Sequence, residues 1–533
     1  MDRDILVREL YACGETGDLL QYSNNTYQNT VSHLKQQGKL GRQFEEYKGA
    51  RQGHKRAAGH FKSYINPCLT VAHANSSELG FWIGPICVTC VCVADDTYVM
   101  SDDPRKLQGI INIVGHYGKR YRLTFGASKT KVTVTGSKQD MSYYKDICMW
   151  SLYDKKLEVT ENNDHLGLIV SGSDEEIKNA DKCKIMFSLL GNIFAYKCKL
   201  SPGVLYRVWT VYINPVLRSG LAALPVRPSV VKVMTSFHHK TLRGILKLGP
   251  WSPVAPLYFL LGEIPIEAAL HIDLLTLFWC VWANPQTKIH EITKYLLMVT
   301  QPNSHTWAAH LRLRFELYML PDPLTLLNSP LWSKDRWNMT IKTTVITHHE
   351  TALREKAQEN YKLLFLNVKA IGLTGRIHPV LSGILRTREV VRSRIHVKML
   401  SGDYPCSAYI GRDRKLDVSC ALCQALLPGT PAPAEDMVHL LTLCRSTADT
   451  RARVLPELLN TISTFFPNNS ILNYPNHTHL TQLILDPSSL NLPTSIRINP
   501  AHLAFPQVLT MSRTVCFTIH KERTRQLSQL RQK

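Results

Sequence analysis

Apolar residues recur at helical spacing near the start of the chain. The first run lies between Ile5 and Leu10, and a second extends from Leu19 to Leu34 behind a glycine-containing break. Apolar residues spaced three and four apart form one face of an amphipathic helix. The pattern therefore predicts two helices within residues 4–40.

A different pattern occupies residues 81–136. Pro104–Tyr117 has helical spacing, whereas the rest consists of short runs rich in β-branched and aromatic residues, which are typical of strands. The predicted strands are Ile86–Ala94, Tyr98–Met100, Tyr121–Phe125 and Val132–Thr135. The mixture predicts the α+β fold class for this region.

Helical patterns dominate beyond residue 177. Prolines punctuate the helices up to about residue 320, and the last third is helical and loop-rich. Between them, residues 321–350 contain few periodic apolar positions and indicate a linker. The changes of pattern predict four regions, which span residues 1–175, 176–320, 321–400 and 401–533.

The composition is that of a folded protein that is not secreted. Of the 533 residues, 44 % are hydrophobic, the 14 cysteines are too sparse for a disulfide framework, and no signal-peptide stretch follows Met1. We expect a location in the nucleus or the cytoplasm. The longest apolar stretches, around Leu257–Leu261 and Leu274–Ala283, fall short of the roughly 18 residues that span a bilayer, so no membrane span is predicted.

The charge of the chain indicates a polyanionic partner. There are 63 Lys and Arg residues against 42 Asp and Glu, which gives a formal charge of +21. Lys and Arg held near phosphates release condensed counterions and gain affinity whatever the base sequence. Many basic proteins nevertheless bind no nucleic acid, so the charge leaves both readings open.

Two adjacent carboxylates lie between two apolar runs. Asp95 and Asp96 interrupt the segment Ile86–Met100, and aspartate favours turns over strand interiors. We therefore predict a buried β-hairpin with both carboxylates at or beside its tip. Such a pair could hold divalent cations for phosphoryl transfer, and an ordinary acidic turn is the alternative.

The segments around this doublet occur in a specific order. Upstream is a glycine-rich basic segment just before a helix, and downstream is a Phe…Lys-Thr-Lys segment; the residues concerned are Gly49, Arg51, Gln52, Gly53 and Lys129. Taken singly, the first segment is better explained as a glycine turn before a helix and the second as a solvated basic face. Taken in order, they resemble the palm of reverse transcriptases, and the spacing is most similar to the non-long-terminal-repeat (LINE-type) retrotransposon enzymes.

The resemblance implies a role for each of these residues. Asp95 would be a ligand of a two-metal Mg2+ site and Asp96 its supporting partner, while Lys129 would lie near the triphosphate of the nucleotide. The segment Gly49, Arg51, Gln52 and Gly53 would lie by the incoming nucleotide and the template. The implied partners are an RNA template, a DNA primer or target and deoxynucleoside triphosphates.

The resemblance extends beyond the doublet. Asp164–Ile169 resembles the segment that shapes the primer grip, with His165 where tyrosine is common. The helical block after residue 177 is similar to a thumb that tracks the duplex, through basic and aromatic residues that include Arg207, His238, Lys247, Tyr206, Trp209 and Tyr212. A solvated face over an apolar core is the alternative. The implied fold is a partial right-hand palm over 1–175, a thumb-like region over 176–320, a connector over 321–400 and a C-terminal region over 401–533.

The chain also departs from the family pattern. The family supplies a further metal-binding aspartate from a motif upstream of the glycine segment, and we expect this chain to begin just past that motif, as an N-terminally truncated copy. Asp2 and Asp4 are better read as favourable charges at a helix N-terminus. Ala57 occupies a position where serine is common. Because two dications held by too few anions repel each other, we expect the polymerase site to be impaired.

A cysteine–histidine cluster lies in the C-terminal region. Cys420-x2-Cys423 is followed by His439-x4-Cys444, a spacing that can close a tetrahedral zinc site with four protein ligands. LINE-type proteins similarly end in such a knuckle, and unliganded core cysteines are the alternative. We reject Cys87-x2-Cys90 as a second site, since residues three apart in a strand point to opposite faces.

Three functions therefore remain at the level of sequence. The first is RNA-templated DNA synthesis by a LINE-type reverse transcriptase. The second is a catalytically inactive remnant that still binds nucleic acid, and the third is a transcribed fragment without a selected function. The sequence leaves the oligomeric state and the template specificity open.

Overall fold

The computed structural model describes most of the chain. The described residues are 1–50, 53–135, 138–147, 149–165, 168–171, 181, 199–369, 372–384, 386–414, 416–465, 476–489 and 504–532. They form helices and small two-stranded sheets, in agreement with the predicted α+β class. The chain divides into two compact units. The first comprises Met1–Glu175, Val281–Ser304 and Pro323–Ser329, and the second Glu176–Cys280, His305–Asp322 and Pro330–Lys533.

The α-helices in chain order are α1 (Arg3–Ala12), α2 (Gly17–Tyr27), α3 (Ala57–Ala74), α4 (Ser76–Leu79), α5 (Pro104–Arg120), α6 (Lys138–Ile147), α7 (Pro202–Val208), α8 (Asn214–Arg218), α9 (Pro228–Leu246), α10 (Ala255–Leu261), α11 (Ile266–Trp282), α12 (Lys288–Val299), α13 (Trp307–Leu317), α14 (Pro323–Leu327), α15 (Lys334–Gln358), α16 (Thr387–Leu400), α17 (Ser407–Arg414), α18 (Ala421–Leu426), α19 (Ala448–Phe465), α20 (His477–Leu485) and α21 (Ala504–Gln532). Short π-helices span Trp209–Ile213 and His439–Leu443.

The strands are β1 (Val31–Gln36), β2 (Lys39–Glu45), β3 (Phe81–Ile83), β4 (Ile86–Val88), β5 (Cys90–Val93), β6 (Asp96–Val99), β7 (Lys131–Val132), β8 (Ser151–Leu152), β9 (Lys155–Lys156), β10 (Glu158–Val159), β11 (Asn162–His165) and β12 (Leu168–Ser171). They pair as β1–β2, β3–β4, β5–β6, β8–β9 and β11–β12, all antiparallel, and as the parallel pair β7–β10.

The second predicted helix is shorter than expected and is followed by a hairpin. α2 ends at Tyr27, and Asn29 adopts a left-handed conformation with φ of 49° that a helix cannot continue through. Leu34 therefore lies in β1, and its prediction as helical is wrong. Gln37 and Gly38 both have positive φ and form the two-residue turn that suits a tight hairpin.

The predicted strand Ile86–Ala94 divides into two shorter strands. Cys87 pairs with Trp82 in the β3–β4 hairpin, whereas Cys90 pairs with Val99 in the β5–β6 hairpin. The predicted strand Tyr121–Phe125 is wrong, because Arg122 has a φ of 52° and breaks the extended backbone. The predicted helix after Asp103 is confirmed as α5, with the Asp103 carboxylate accepting hydrogen bonds from the first turn.

The core of the first unit lies between α3, α5 and the β5–β6 hairpin. Ile65 and Cys68 from α3 pack with buried residues of α5, and Cys92 and Val99 of the hairpin contact this cluster. Tyr117 of α5 donates a hydrogen bond of 2.5 Å to the carbonyl oxygen of Tyr64 in α3. The hairpin is thus seated on two helices that are themselves joined.

The predicted linker over 321–350 contains most of a long helix instead. Trp337, Ile341 and Val345 repeat every fourth residue along α15 and are fully buried. The hydroxyl of Ser333 caps the helix by accepting a hydrogen bond of 3.3 Å from the backbone NH of Arg336. The interpretation as a linker is wrong because this stripe, although sparse, has the helical period.

No single helix in the described ranges is both long and apolar enough to cross a bilayer. α10 and α11 pass that test only as a pair, with a bend of 59° between them.

We expect Trp337→Ala to destabilise the second unit by about 3–5 kcal/mol, because the side chain fills a core site. The indole is fully buried, contacts the rings of Phe278 and Phe315, and donates a hydrogen bond of 2.9 Å to the carbonyl oxygen of Leu275. Urea unfolding followed by far-ultraviolet circular dichroism measures the change. Met339→Ala, on the exposed face of the same helix, is the control, and an equal effect of both substitutions would contradict the assignment.

Candidate functional site

The acidic doublet lies at the tip of the β5–β6 hairpin, as predicted. Val93 pairs with Asp96, so Ala94 and Asp95 form the two-residue turn between the strands. Ala94 has a φ of 53°, which a tight hairpin turn requires. Both carboxylates are exposed to solvent, while Cys90 at the other end of β5 is buried. The hairpin therefore presents two neighbouring acids from an anchored base.

The glycines of the predicted template segment are needed for backbone conformation. Gly49 has a φ of 95° and Gly53 a φ of 84°, and a Cβ built at either position would meet no atom within 4 Å. The backbone NH of Gly49 donates to the carbonyl oxygen of Met1 at 2.9 Å. Arg51 and Gln52 between them lie outside the described residues.

Lys129 lies in a tight turn with its side chain exposed. Its backbone NH donates to the carbonyl oxygen of Gly126 at 2.8 Å, and the hydroxyl of Thr130 donates to the same oxygen at 3.0 Å. The neighbouring Lys131 is engaged with Glu158 at 3.7 Å. Of these two lysines, Lys129 is therefore the one whose side chain is available to bind an anion.

Asp2 lies at the N-terminus of α1, as predicted, and its side chain caps the helix. Its carboxylate accepts a hydrogen bond of 3.2 Å from the NH of Ile5 and another of 2.9 Å from the guanidinium of Arg122. Burial raises the pKa of this carboxyl, but the hydrogen bonds from Arg122 and the helix outweigh it, so the pKa lies below its ordinary value. The carboxylate of Asp2 thus has a structural role at the start of α1.

The carboxylates of the doublet are not joined by further metal ligands within the described ranges. There, a single group of three or more ligand atoms from His, Cys, Asp or Glu can hold an ion, and it is the C-terminal cluster. Cys87 and Cys90 do not belong to this group. Mg2+ prefers oxygen ligands, so the carboxylates of Asp95 and Asp96 are suitable ligands for that ion. Two carboxylates are nevertheless fewer than a two-metal site requires.

Several residues predicted to contact a duplex lie in the core of the second unit. Tyr206 donates a hydrogen bond of 2.5 Å and Trp209 one of 3.3 Å to the buried carboxylate of Glu263. His238, also buried, lies 3.5 Å from the same carboxylate. Burial raises the pKa of Glu263, but His238 and the hydrogen bonds lower it below its ordinary value.

The prediction of duplex contact is therefore wrong for Tyr206, Trp209 and His238, because a buried side chain cannot reach a nucleic acid. Lys247 is buried as well. Arg207 and Tyr212 are exposed, so contact with a duplex stays a prediction for them.

The predicted primer-grip segment forms part of a hairpin. β11 pairs with β12 in the register Asn162 with Ser171 to His165 with Leu168. Leu166 and Gly167, at the turn, lie outside the described residues.

The four predicted zinc ligands come together in the second unit. The ligand atoms of Cys420, Cys423, His439 and Cys444 all lie within 4.8 Å of one another and are buried. Cys423 Sγ is 3.8 Å from Cys444 Sγ and 3.4 Å from His439 Nε2. A tetrahedral zinc ion with bonds of about 2.3 Å to sulfur and about 2.0 Å to nitrogen gives separations of about 3.8 Å and 3.5 Å. The cluster fits a zinc site.

Local backbone geometry explains the spacing of these ligands. Cys420 precedes the first turn of α18, so Cys423 lies one turn later on the same side. His439 and Cys444 are joined by a π turn, in which the NH of Cys444 donates to the carbonyl oxygen of His439 at 2.7 Å. A π turn closes over five residues, which matches four intervening positions better than an α turn does.

Residues around the cluster affect the protonation of its cysteine thiols. A hydrogen bond from Cys420 lowers the pKa of the Cys444 thiol, and the same contact raises the pKa of the Cys420 thiol. Arg451 donates a hydrogen bond of 2.9 Å to the carbonyl oxygen of Cys444, and the NH of His439 donates to Asp436 at 2.8 Å. The guanidinium of Arg451 places positive charge near the sulfurs of Cys423 and Cys444, and the Asp436 contact holds the backbone at His439.

A buried ion pair ties the C-terminal helix to this cluster. Arg523 of α21 donates two hydrogen bonds of 2.8 Å to the carboxylate of Glu435, which also accepts from Ser407 at 2.9 Å. Arg523 lies in the basic end of the chain, Lys521–Lys533, and its side chain is buried against the protein. Its partner is 88 residues away, so no local pattern could have indicated the pair.

Residues 5–170 match the family model described as reverse transcriptase (RNA-dependent DNA polymerase). This part of the chain is similar to reverse transcriptases. The match supports reverse transcriptase function and, with it, nucleic acid templates and deoxynucleoside triphosphates as substrates. It contains the doublet hairpin, Gly49, Gly53 and Lys129. No curated protein matches the chain.

We expect the purified chain to contain one zinc ion, because four thiolate and imidazole donors close a tetrahedral site. Cys444→Ala should lower the zinc content to the background level, as measured by plasma mass spectrometry. Cys13→Ser removes an exposed thiol outside the cluster and should leave the content unchanged. Equal zinc in wild type and Cys444→Ala would contradict the assignment.

We expect Arg523→Ala to lower the free energy of unfolding by about 3–5 kcal/mol at neutral pH, because it strands a buried carboxylate. Burial raises the pKa of Glu435, but Arg523 outweighs it, and the pKa lies below its ordinary value. The pair's contribution is therefore present above about pH 4.5 and is lost as the pH falls through the lowered value. Urea unfolding at several pH values measures this.

The control for that prediction is Arg525→Ala, which removes an exposed arginine that pairs with Glu522 on the same helix. It should change stability little. A destabilisation by Arg523→Ala that stays constant down to pH 3 would show that packing, and not the ion pair, accounts for the loss.

Proposed function

We propose that residues 1–175 are the palm of a non-long-terminal-repeat (LINE-type) retrotransposon reverse transcriptase, which copies an RNA template into DNA. The observation that carries the proposal is the Asp95–Asp96 hairpin, seated on α3 and α5 within the segment that matches reverse transcriptases. The order of glycine segment, hairpin and Lys129 supports the LINE-type assignment.

In this proposal each residue acts through its position. The carboxylate of Asp95 would hold Mg2+ at the primer end, and Asp96 would support it with a second oxygen donor. When bound, Mg2+ would polarise the reacting oxygens and neutralise phosphate charge. Lys129 would face the triphosphate, and the backbone of Gly49 and Gly53, together with Arg51 and Gln52, would border the nucleotide and template.

We further propose that this metal site is weak in the present chain. Two carboxylates offset only part of the charge of two dications, and uncompensated dications repel each other strongly. Asp2 cannot make up the deficit, since it caps α1 and pairs with Arg122. The polymerase would therefore be impaired.

An inactive nucleic-acid-binding protein is the second candidate. The Cys/His cluster fits a binding role, because a zinc ion held by four protein ligands has no open position for a catalytic water. In this reading residues 176–320 are a thumb-like region, 321–400 a connector and 401–533 a region with a zinc knuckle. Both candidates would act in the nucleus or the cytoplasm.

We expect primer extension on an RNA template to show weak Mg2+-dependent synthesis. Asp95→Asn should lower this synthesis by about 10–100-fold, because it replaces an anionic metal ligand with a neutral side chain of the same size. Asp102→Asn alters an exposed acid of the same unit and should leave the rate unchanged.

The outcomes separate the candidates. Robust synthesis that depends on Asp95 would support the polymerase and contradict its impairment. Synthesis that ignores Asp95→Asn would contradict the role of the doublet. Salt-sensitive binding of an RNA–DNA hybrid without any incorporation would favour the inactive protein.

A further inference from the structure

The β1–β2 hairpin projects an exposed surface that the first unit does not use for packing. Every residue of β2 is exposed, and in β1 only Ser32 is partly covered. At about 3.3 Å per residue, its six-residue strand is about 20 Å long. We refer to residues 31–45 as the ribbon.

The base of the ribbon is held firmly. The guanidinium of Arg3 donates hydrogen bonds of 2.8 Å to the carbonyl oxygen of Tyr27 and 2.6 Å to the hydroxyl of Thr30, and another to the carbonyl oxygen of Glu46. Thr30 is buried. One side chain therefore joins α1, the end of α2 and both ends of the ribbon, so the projecting part is presented from a fixed base.

The solvent-facing charge of the ribbon is positive. Lys35, Lys39 and Arg42 are exposed and form no ion pair within the described residues. The two acids at the base are engaged, because Glu46 pairs with Arg3 at 3.7 Å and Glu45 accepts a hydrogen bond from Tyr47. Three exposed cations thus follow the strands, while the charge of Glu46 is offset by Arg3.

Apolar and aromatic side chains are interleaved with these cations. Leu34 and Leu40 are 73 % and 69 % exposed, and Phe44 is 47 % exposed. Lys35 lies opposite Leu40 in the register, so an ammonium group and an apolar side chain share one face. Cations for phosphates beside apolar and aromatic surface for sugars and bases are the combination that nucleic-acid-binding surfaces use.

We propose that the ribbon binds the nucleic acid template or its hybrid with the primer, as a contact surface outside the metal site. The proposal rests on the proposed function, because the ribbon ends four residues before Gly49, where the template segment begins. Charge complementarity favours a nucleic acid over a protein partner or a second copy of the chain, which remain outcomes of the test.

The test compares two triple variants that lose the same charge. Lys35→Gln, Lys39→Gln and Arg42→Gln neutralise the ribbon; Lys145→Gln, Lys155→Gln and Lys156→Gln neutralise three exposed lysines elsewhere in the first unit. Binding of a fluorescent RNA–DNA hybrid to the full chain is measured by anisotropy from 50 to 200 mM salt. Thermal melts check that both variants fold.

We expect the ribbon variant to bind at least about tenfold more weakly at 100 mM salt, with the slope of log K against log salt reduced by about 2–3, because each phosphate contact contributes about 0.9. The control variant should change far less. Equal effects of the two variants would overturn the ribbon's role while leaving nucleic acid binding intact.

Two further outcomes are decisive. If the wild-type chain binds no hybrid, the proposed function fails together with this inference. If sedimentation shows that the wild type is a dimer and that the ribbon variant is a monomer with unchanged hybrid affinity, the ribbon is an interface between copies and the proposal is overturned.

Discussion

Two neighbouring carboxylates repel each other, so they stay side by side only where water or a cation surrounds them and the backbone behind them is fixed. The Ala94–Asp95 turn meets both conditions. Its strands run back into the cluster formed by Ile65, Cys68 and α5, while the acids face solvent. The proposed chemistry of the first unit depends on this arrangement, because a rigid base is what positions ligands without a cost at the moment of binding.

Arginine side chains anchor two other parts of the chain. Arg3 fixes the base of the β1–β2 ribbon, and the Glu435–Arg523 pair fixes the surroundings of the Cys/His cluster. In each case an arginine, half-buried at position 3 and buried at position 523, joins segments distant in sequence. Some of the positively charged side chains therefore stabilise the fold, and only the remaining exposed ones are available to bind phosphate groups.

The sequence predicted best what short-range chemistry determines. The doublet hairpin, the position of Asp2 at a helix N-terminus and the four-residue cluster each follow from neighbouring residue types, and each has the predicted local form. The ribbon was mistaken for helix because Leu34 continues an apparent helical period, whereas the left-handed Asn29 had already ended α2. The burial of Tyr206, Trp209 and His238 could not be read from sequence, since it follows from Glu263, more than 20 residues away.

The central claim is that the Asp95–Asp96 tip holds divalent metal for polymerisation. The most direct measurement counts bound Mn2+, as a paramagnetic substitute for Mg2+, by electron paramagnetic resonance in the presence of primer–template and nucleotide. The account predicts bound Mn2+ in the wild-type chain that Asp95→Asn removes. Equal Mn2+ binding by both proteins would contradict it.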